Sequence, residues 1–140
     1  MSDLSLFFAQ NTAAEATEQF VVSERFKDKE GQPVSWQLRS MTEAENEECR
    51  KSATRKVKGK NGSYTAETNT DEYLAKLVVS SIHYPNLKDV ELQKSYSVLG
   101  AENLLRKMLR PGEYASLVQR VQDINGFNQG LNELADEVKN

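Results

Sequence analysis

TDEYLAKLVVSSIHYPNLKDVELQKSYSVLGAENLLRKMLRPGEYASLVQRVQDINGF, residues 70–127, holds most of the large apolar side chains of the sequence. Tyr73, Leu74, Leu77, Val78 and Ile82 recur at helical spacing, as do Tyr114, Leu117, Val118 and Val121 beyond the Arg110-Pro111-Gly112 break. Ala75 and Val79 widen the first apolar face until it nearly encircles its helix, the pattern of a central element. Pro85, Gly100, Pro111 and Gly126 punctuate the run, which therefore predicts three or four packed helices forming the core. Thr70 reads as the cap of the first, with Asp71 and Glu72 in its first turn. That helix is expected to end at Tyr84, because Pro85 disfavours helical geometry in the residue before it. Asp89 suits the cap of a short helix through Tyr96, Gly100 allows a bend before a helix over 101–109, and Pro111 opens a segment running to Gly126. Asn125-Gly126-Phe127 has the form of a left-handed stop followed by a hydrophobic contact.

Working back towards the N-terminus, residues 58–69 are glycine-rich and polar and read as a flexible surface loop. Gly59 and Gly62 lack the Gly-Lys-Ser/Thr ending that a phosphate loop requires. Residues 42–57 read as a charged helix opening on the capping box Thr42-Glu-Ala-Glu45. Its acids, Glu43, Glu45, Glu47 and Glu48, come early and its bases, Arg50, Lys51, Arg55 and Lys56, late, as the helix dipole favours. Cys49, Ala53 and Val57 give it only a thin apolar seam, so it belongs at the periphery.

Residues 18–41 contain two alternating runs, Phe20-Val-Val-Ser-Glu-Arg-Phe26 and Val34-Ser-Trp-Gln-Leu-Arg-Ser40, which are expected to pair as a hairpin. Matching Val22 with Leu38 and Phe26 with Val34 gathers the large apolar groups, Trp36 included, on one side; a one-residue slip scatters them. This register leaves Lys29-Glu30-Gly31 as a three-residue loop, with Asp28 at the first turn position and Gly31 supplying the left-handed residue. Two strands are marginal alone, so the apolar face should pack on the helices. The expectation is one α+β domain over residues 1–140, mainly α, with an N-terminal antiparallel β-hairpin at about 19–41 packed on a helical domain of four to six helices.

Two amphipathic flanks remain. In residues 1–17, an arm and linker, Leu4, Phe7 and Phe8 fall on one helical stripe. A helix this short is marginal unless it docks, either on its own domain or on a partner. In residues 128–140, Leu131, Leu134, Ala135 and Val138 recur at helical spacing, and the same two readings apply. Leu4, Phe7, Phe8, Leu131, Leu134 and Val138 are thus the candidate partner-binding residues.

The composition removes other functions. A net charge of −3 and a pI near 5.3 argue against general affinity for nucleic acid or anionic lipid. The basic run at 50–60 keeps a small nucleic-acid-binding regulator open as an alternative, although its helix already accounts for the charges and the run itself holds no aromatic residue, the next being Tyr64. No stretch is apolar enough to span a membrane and no secretory leader is visible. The single cysteine, Cys49, fits a reducing cytoplasm and reads as a small buried residue. His83, the only histidine, has no second histidine, cysteine pair or carboxylate cluster near it in sequence, and reads as a hydrogen-bonded structural residue. No metal site, cofactor site or catalytic constellation stands out.

Leu4-Ser-Leu-Phe-Phe-Ala9, the hairpin Arg25-Phe26 with Gly31-Gln-Pro-Val-Ser-Trp36, Asp71-Glu-Tyr-Leu-Ala-Lys76, Tyr84-Pro-Asn-Leu87, Glu91-Leu-Gln93, Gly100-Ala-Glu102 and Pro111-Gly-Glu-Tyr114 occur in this order. Together they resemble the XkdN-like phage tail assembly chaperones of PBSX-type prophages. The resemblance implies a non-enzymatic protein of the bacterial host cytoplasm, absent from the finished particle. It also implies a tape-measure protein as client, tail-tube protein as a second partner, and a longer frameshifted form of the chain itself made by ribosomal slippage. A structural tail component retained in the virion is the other alternative.

Overall fold

The computed structural model describes residues 3–127. Its centre is a strand, β2 (Trp36–Arg39), that alternates inward and outward: Trp36 is 2% exposed and Leu38 0%, while Gln37 points to solvent. β1 (Thr17–Phe20) and β5 (Ile82–Tyr84) flank it antiparallel, in the order β1-β2-β5. The core on its apolar face is completed by α2 (Thr70–Ser81), α4 (Ala101–Met108) and α5 (Pro111–Ile124), with α1 (Glu43–Ser52) packed on α2 and the short α3 (Val90–Ser95) preceding α4 in the chain. Leu77, Val78, Leu104, Leu105, Leu117 and Val121 close the core around Trp36 and Leu38. The α+β class, the hairpin packed on helices and the helix number all follow the sequence expectation.

The hairpin register holds near its turn and changes beyond it. Val34 N donates to Phe26 O at 2.8 Å, Asp28 N to Gln32 O at 2.9 Å, and Gly31 has φ +81°, so Lys29-Glu30-Gly31 is the three-residue loop expected. Farther out, Phe20 faces Trp36 and Thr17 faces Arg39, in place of Val22 facing Leu38. Residues 21–25 leave the sheet because tertiary contacts outbid the ladder. Val22 and Ser23 are buried, and Arg25 Nη2 donates to the Met108 carbonyl at 2.9 Å and to Glu113 at 2.6 Å. The offset between the two registers is even, so Phe20 and Trp36 still share a face and the apolar side survives.

Three further expectations are corrected. The charged helix stops at Ser52, five residues short of residue 57, and Arg55, Lys56 and Val57 stand on a strand. The supposed loop at 58–69 is largely the second half of a hairpin, β3 (Thr54–Lys58) with β4 (Tyr64–Thr68), closed by a turn in which Gly62 takes φ +83°. The Thr54 and Thr68 hydroxyls meet at 2.6 Å at its base. Helix α2 is capped by Asn69, whose Oδ1 accepts from Glu72 N at 3.0 Å, with Thr70 its first helical residue. It ends at Ser81 and not at Tyr84, because Ile82 and Tyr84 pair with β2. The capping box at Thr42, the Asp89 cap, Pro111 at the start of α5 and the left-handed Gly126 with Phe127 against the core all stand where expected.

Polar side chains lock the layers. Asn125 Oδ1 accepts from Met41 N at 2.8 Å, and its Nδ2 donates to Ser81 Oγ at 3.0 Å and Val121 O at 2.8 Å, joining the segment that follows β2 to α2 and α5. Arg120 pairs with Glu18 and lies over the Phe20 ring at 4.6 Å. Among the described residues, no buried side-chain nitrogen or oxygen is left without a partner, as a stable interior requires.

Candidate functional site

The N-terminal arm is not packed on the domain. Two 3₁₀ turns, Leu4–Phe7 and Ala9–Asn11, replace the expected α-helical stripe, with Phe8 extended between them. Asp3 Oδ1 caps the first by accepting from Ser5 N at 3.0 Å, and the Ser5 hydrogen bonds hold that carboxyl below the usual carboxylate range. Asn11 Nδ2 donates to Ser5 O at 2.8 Å and Thr12 Oγ1 to Phe8 O at 2.9 Å, so the arm satisfies its own backbone. In 3₁₀ geometry residues i and i+3 eclipse, which sets Leu4 over Phe7. Leu4 is 67% exposed, Phe7 79% and Phe8 50%, and Leu6 is as open as Leu4. These side chains are not buried against the domain.

The arm is fastened at its root. Ser40 N donates to Ala16 O and Ala16 N to Ser40 Oγ, both at 2.8 Å, and Glu15 approaches Arg39 at 3.5 Å. Chain length between Thr12 and Ala16 therefore sets the reach of a preformed apolar tip. Leu131, Leu134 and Val138 lie outside the described residues.

Two exposed features escaped the sequence reading. Leu99, 84% exposed, projects from the α3–α4 connection beside Lys94, Arg106 and Lys107, following Ser97 with φ +57°. Nothing in Ser97-Val98-Leu99-Gly100 separates Val98, packed on the core, from Leu99 in solvent. The other is the β3–β4 hairpin, whose signal was present: Asn61-Gly62 between two runs of strand length is a hairpin turn signature.

No catalytic arrangement forms among the described residues. A cleft of about 780 Å³ between α1, β5 and α4 has Cys49, Ser80 and His83 among its lining residues. Cys49 is buried as expected, with its Sγ 3.4 Å from Ser80 Oγ. His83 is exposed on β5 and makes no side-chain hydrogen bond among the described residues, which corrects the structural role expected of it. Two ion pairs stand in the cleft, Lys76 with Glu102 at 3.4 Å and Arg39 with Glu45 at 2.8 Å. The Arg39 guanidinium and the Thr42 N–H together hold Glu45 below its ordinary carboxylate value. No group of three His, Cys, Asp or Glu side chains could hold a metal among the described residues. No described helix is long and apolar enough to cross a membrane.

Among the described residues, then, the buried polar groups are all partnered, and apolar and cationic side chains stand exposed on projecting segments. A family model described as phage XkdN-like tail assembly chaperone protein matches residues 4–139, and the chain belongs to that family, which is non-enzymatic. It is similar to the uncharacterized protein YqbN of Bacillus subtilis strain 168, 30% identical over 139 residues that cover 99% of this chain and 93% of YqbN. It is also similar to the phage-like element PBSX protein XkdN of the same strain, 28% identical over 141 residues covering 99% and 94% of the two chains. The crystal structure of YqbN matches the fold with a TM-score of 0.77 at 26% identity, over 91% of this chain and 98% of that one.

Proposed function

We propose that this tail assembly chaperone binds the tape-measure protein through its N-terminal arm and helps recruit tail-tube subunits to it. The observation that carries the reading is the arm itself: Leu4, Leu6, Phe7 and Phe8 stand in solvent on a segment whose backbone is already satisfied. Such a tip needs little ordering on contact, and an amphipathic client helix offers apolar positions at i, i+3 and i+4 to receive it. Leu131, Leu134 and Val138 form a second grip of the same chemistry. The protein acts in the cytoplasm of the bacterial host and leaves before the virion is complete, and a longer frameshifted form of itself is a further partner.

Co-expression with the tape-measure protein of the same phage is the test. The unaltered chaperone should co-purify with the client and raise its soluble yield. Phe7→Ser with Phe8→Ser should weaken capture by about tenfold or more, since burying each ring is worth roughly 1.5–3 kcal/mol and 1.4 kcal/mol is tenfold. Capture unaffected by the double substitution removes the arm from the mechanism, and recovery of the chaperone from purified virions supports a structural tail component instead.

A further inference from the structure

Six of the 18 Lys and Arg residues fall in residues 50–60, which contain no Asp or Glu, while all 21 acids lie elsewhere. On a helix this run would be an exposed face balanced by its own acids. The structure places it differently. Arg50 and Lys51 end α1, and Arg55, Lys56 and Lys58 stand on β3 of a hairpin whose residues beyond Thr54 are all exposed. Lys58 lies opposite Tyr64 and Lys56 opposite Ala66, so both lysines share a face with the Tyr64 ring, while Arg55 and Glu67 turn to the other.

The cations divide by partner. Arg55 pairs with Glu72 at 3.1 Å and Lys51 with Glu47 at 3.3 Å, whereas Lys56, Lys58 and Lys60 have no carboxylate within ion-pair distance among the described residues. At the hairpin base a shallow trough of about 450 Å³ is lined by Thr54, Ala66 and Thr68 together with Arg50, Lys51, Lys56 and Arg55. Small residues flanked by cations, with the exposed Tyr64 ring on the same face of the hairpin, admit a rod of matching charge.

We infer that this face, Lys56, Lys58 and Tyr64 with Arg50 and Lys51 at its root, docks an acidic helical stripe of a protein partner. Lysines two residues apart on a strand are spaced by roughly 6.6–6.8 Å, and carboxylates four apart on a helix by about 6 Å, so successive pairs come into register. A nucleic acid is the weaker occupant. It needs a longer array of free cations and usually a series of stacking rings, where this face offers two unpaired lysines and one tyrosine. The acidic remainder of the chain, giving a net charge of −3, also repels a polyanion more than a local carboxylate stripe. The inference deepens the chaperone reading, because its partner is a tail protein, but the surface can be tested without any client.

The probe is a fluorescein-labelled, alanine-based helical peptide with Glu at every fourth position, titrated with the full chain and followed by anisotropy at about 20 and about 300 mM NaCl. Lys56→Glu with Lys58→Glu is compared with Lys88→Glu with Lys107→Glu, the same charge change away from the hairpin. The peptide should bind at low salt and weaken as salt rises. The hairpin pair should lose about tenfold or more, and the control pair less than about twofold. No binding at low salt, equal loss in both variants, or tighter binding of a 20-mer oligothymidylate overturns the inference, the last in favour of a nucleic acid. Since the four lysines are surface residues, superimposable thermal melts confirm that both variants fold. Capture of the tape-measure protein beside a failed peptide titration leaves the chaperone reading standing and removes this surface from it.

Discussion

Arg25 and Glu113 form a tight polar joint between the N-terminal hairpin and the helices. Glu113 accepts from the Arg25 guanidinium at 2.6 Å, from the Ser23 hydroxyl and from Arg110 N at 2.8 Å, and its carboxyl is held down at about 2 against an ordinary 4.5. A carboxylate whose value is depressed by folding contributes stability that is complete above about 4.5 and is lost as the pH falls towards about 2. Glu113→Gln should therefore lower the urea midpoint at about pH 7 and flatten its decline between about pH 4.5 and pH 2. A variant whose midpoint keeps the full acid decline assigns that decline to other carboxylates. None of this joint was legible in sequence, since Arg25 and Glu113 are 88 positions apart and each looks like an ordinary surface charge. Local polar chemistry was better exposed: Asp89, the Thr42–Glu45 box and Pro111 act within four residues and were readable. At Asn69–Thr70 either side chain could cap, and the pair was read one residue late.

The two hairpins show why some elements were legible and others were not. The first carries alternating apolar residues that must meet a core, so its turn and its inward face could be read, and only the excursion at 21–25 depended on distant partners. The second has no inward face. Thr54 apart, every residue of β3 and β4 is exposed, so no hydrophobic alternation marks the strands, and the bases of β3 extend the charge pattern of α1. A ribbon that buries so little should be dispensable to the domain. Replacing residues 56–66 by an Asn-Gly turn joining Arg55 to Glu67 should keep cooperative unfolding, with Tm within about 5 °C of the parent, because the loss touches no core side chain. A collapse of cooperativity would show that the hairpin braces α1 against α2. Its position, between Ala53 and Asn69, which are joined by a 2.8 Å backbone hydrogen bond, argues that the brace lies at the base and stays intact.

At the scale of the molecule, stability and binding occupy different residues. Core contacts converge on α2 and β2, while the apolar surface that invites a partner is concentrated in the arm and at Leu99. This explains how a stretch as rich in family motifs as 70–127 can identify the protein while the arm carries its proposed work. The arm's interest could be read from Leu4, Phe7 and Phe8, but its undocked state could not, because the same apolar triad suits an intramolecular contact equally well. The separation is measurable. Removing residues 3–12 deletes only side chains that are exposed or half-buried, so Tm should stay within about 2 °C of the parent. Trp36→Ala empties the centre of the core against Phe26, whose ring centroid lies 6.1 Å away, and should cost about 3–5 kcal/mol. In client capture the order should invert: the arm deletion should abolish it, while Trp36→Ala, assayed below its lowered Tm, should retain it. Loss of both stability and capture in the arm deletion would mean that the tip docks on the domain in solution, and that a partner must first displace it.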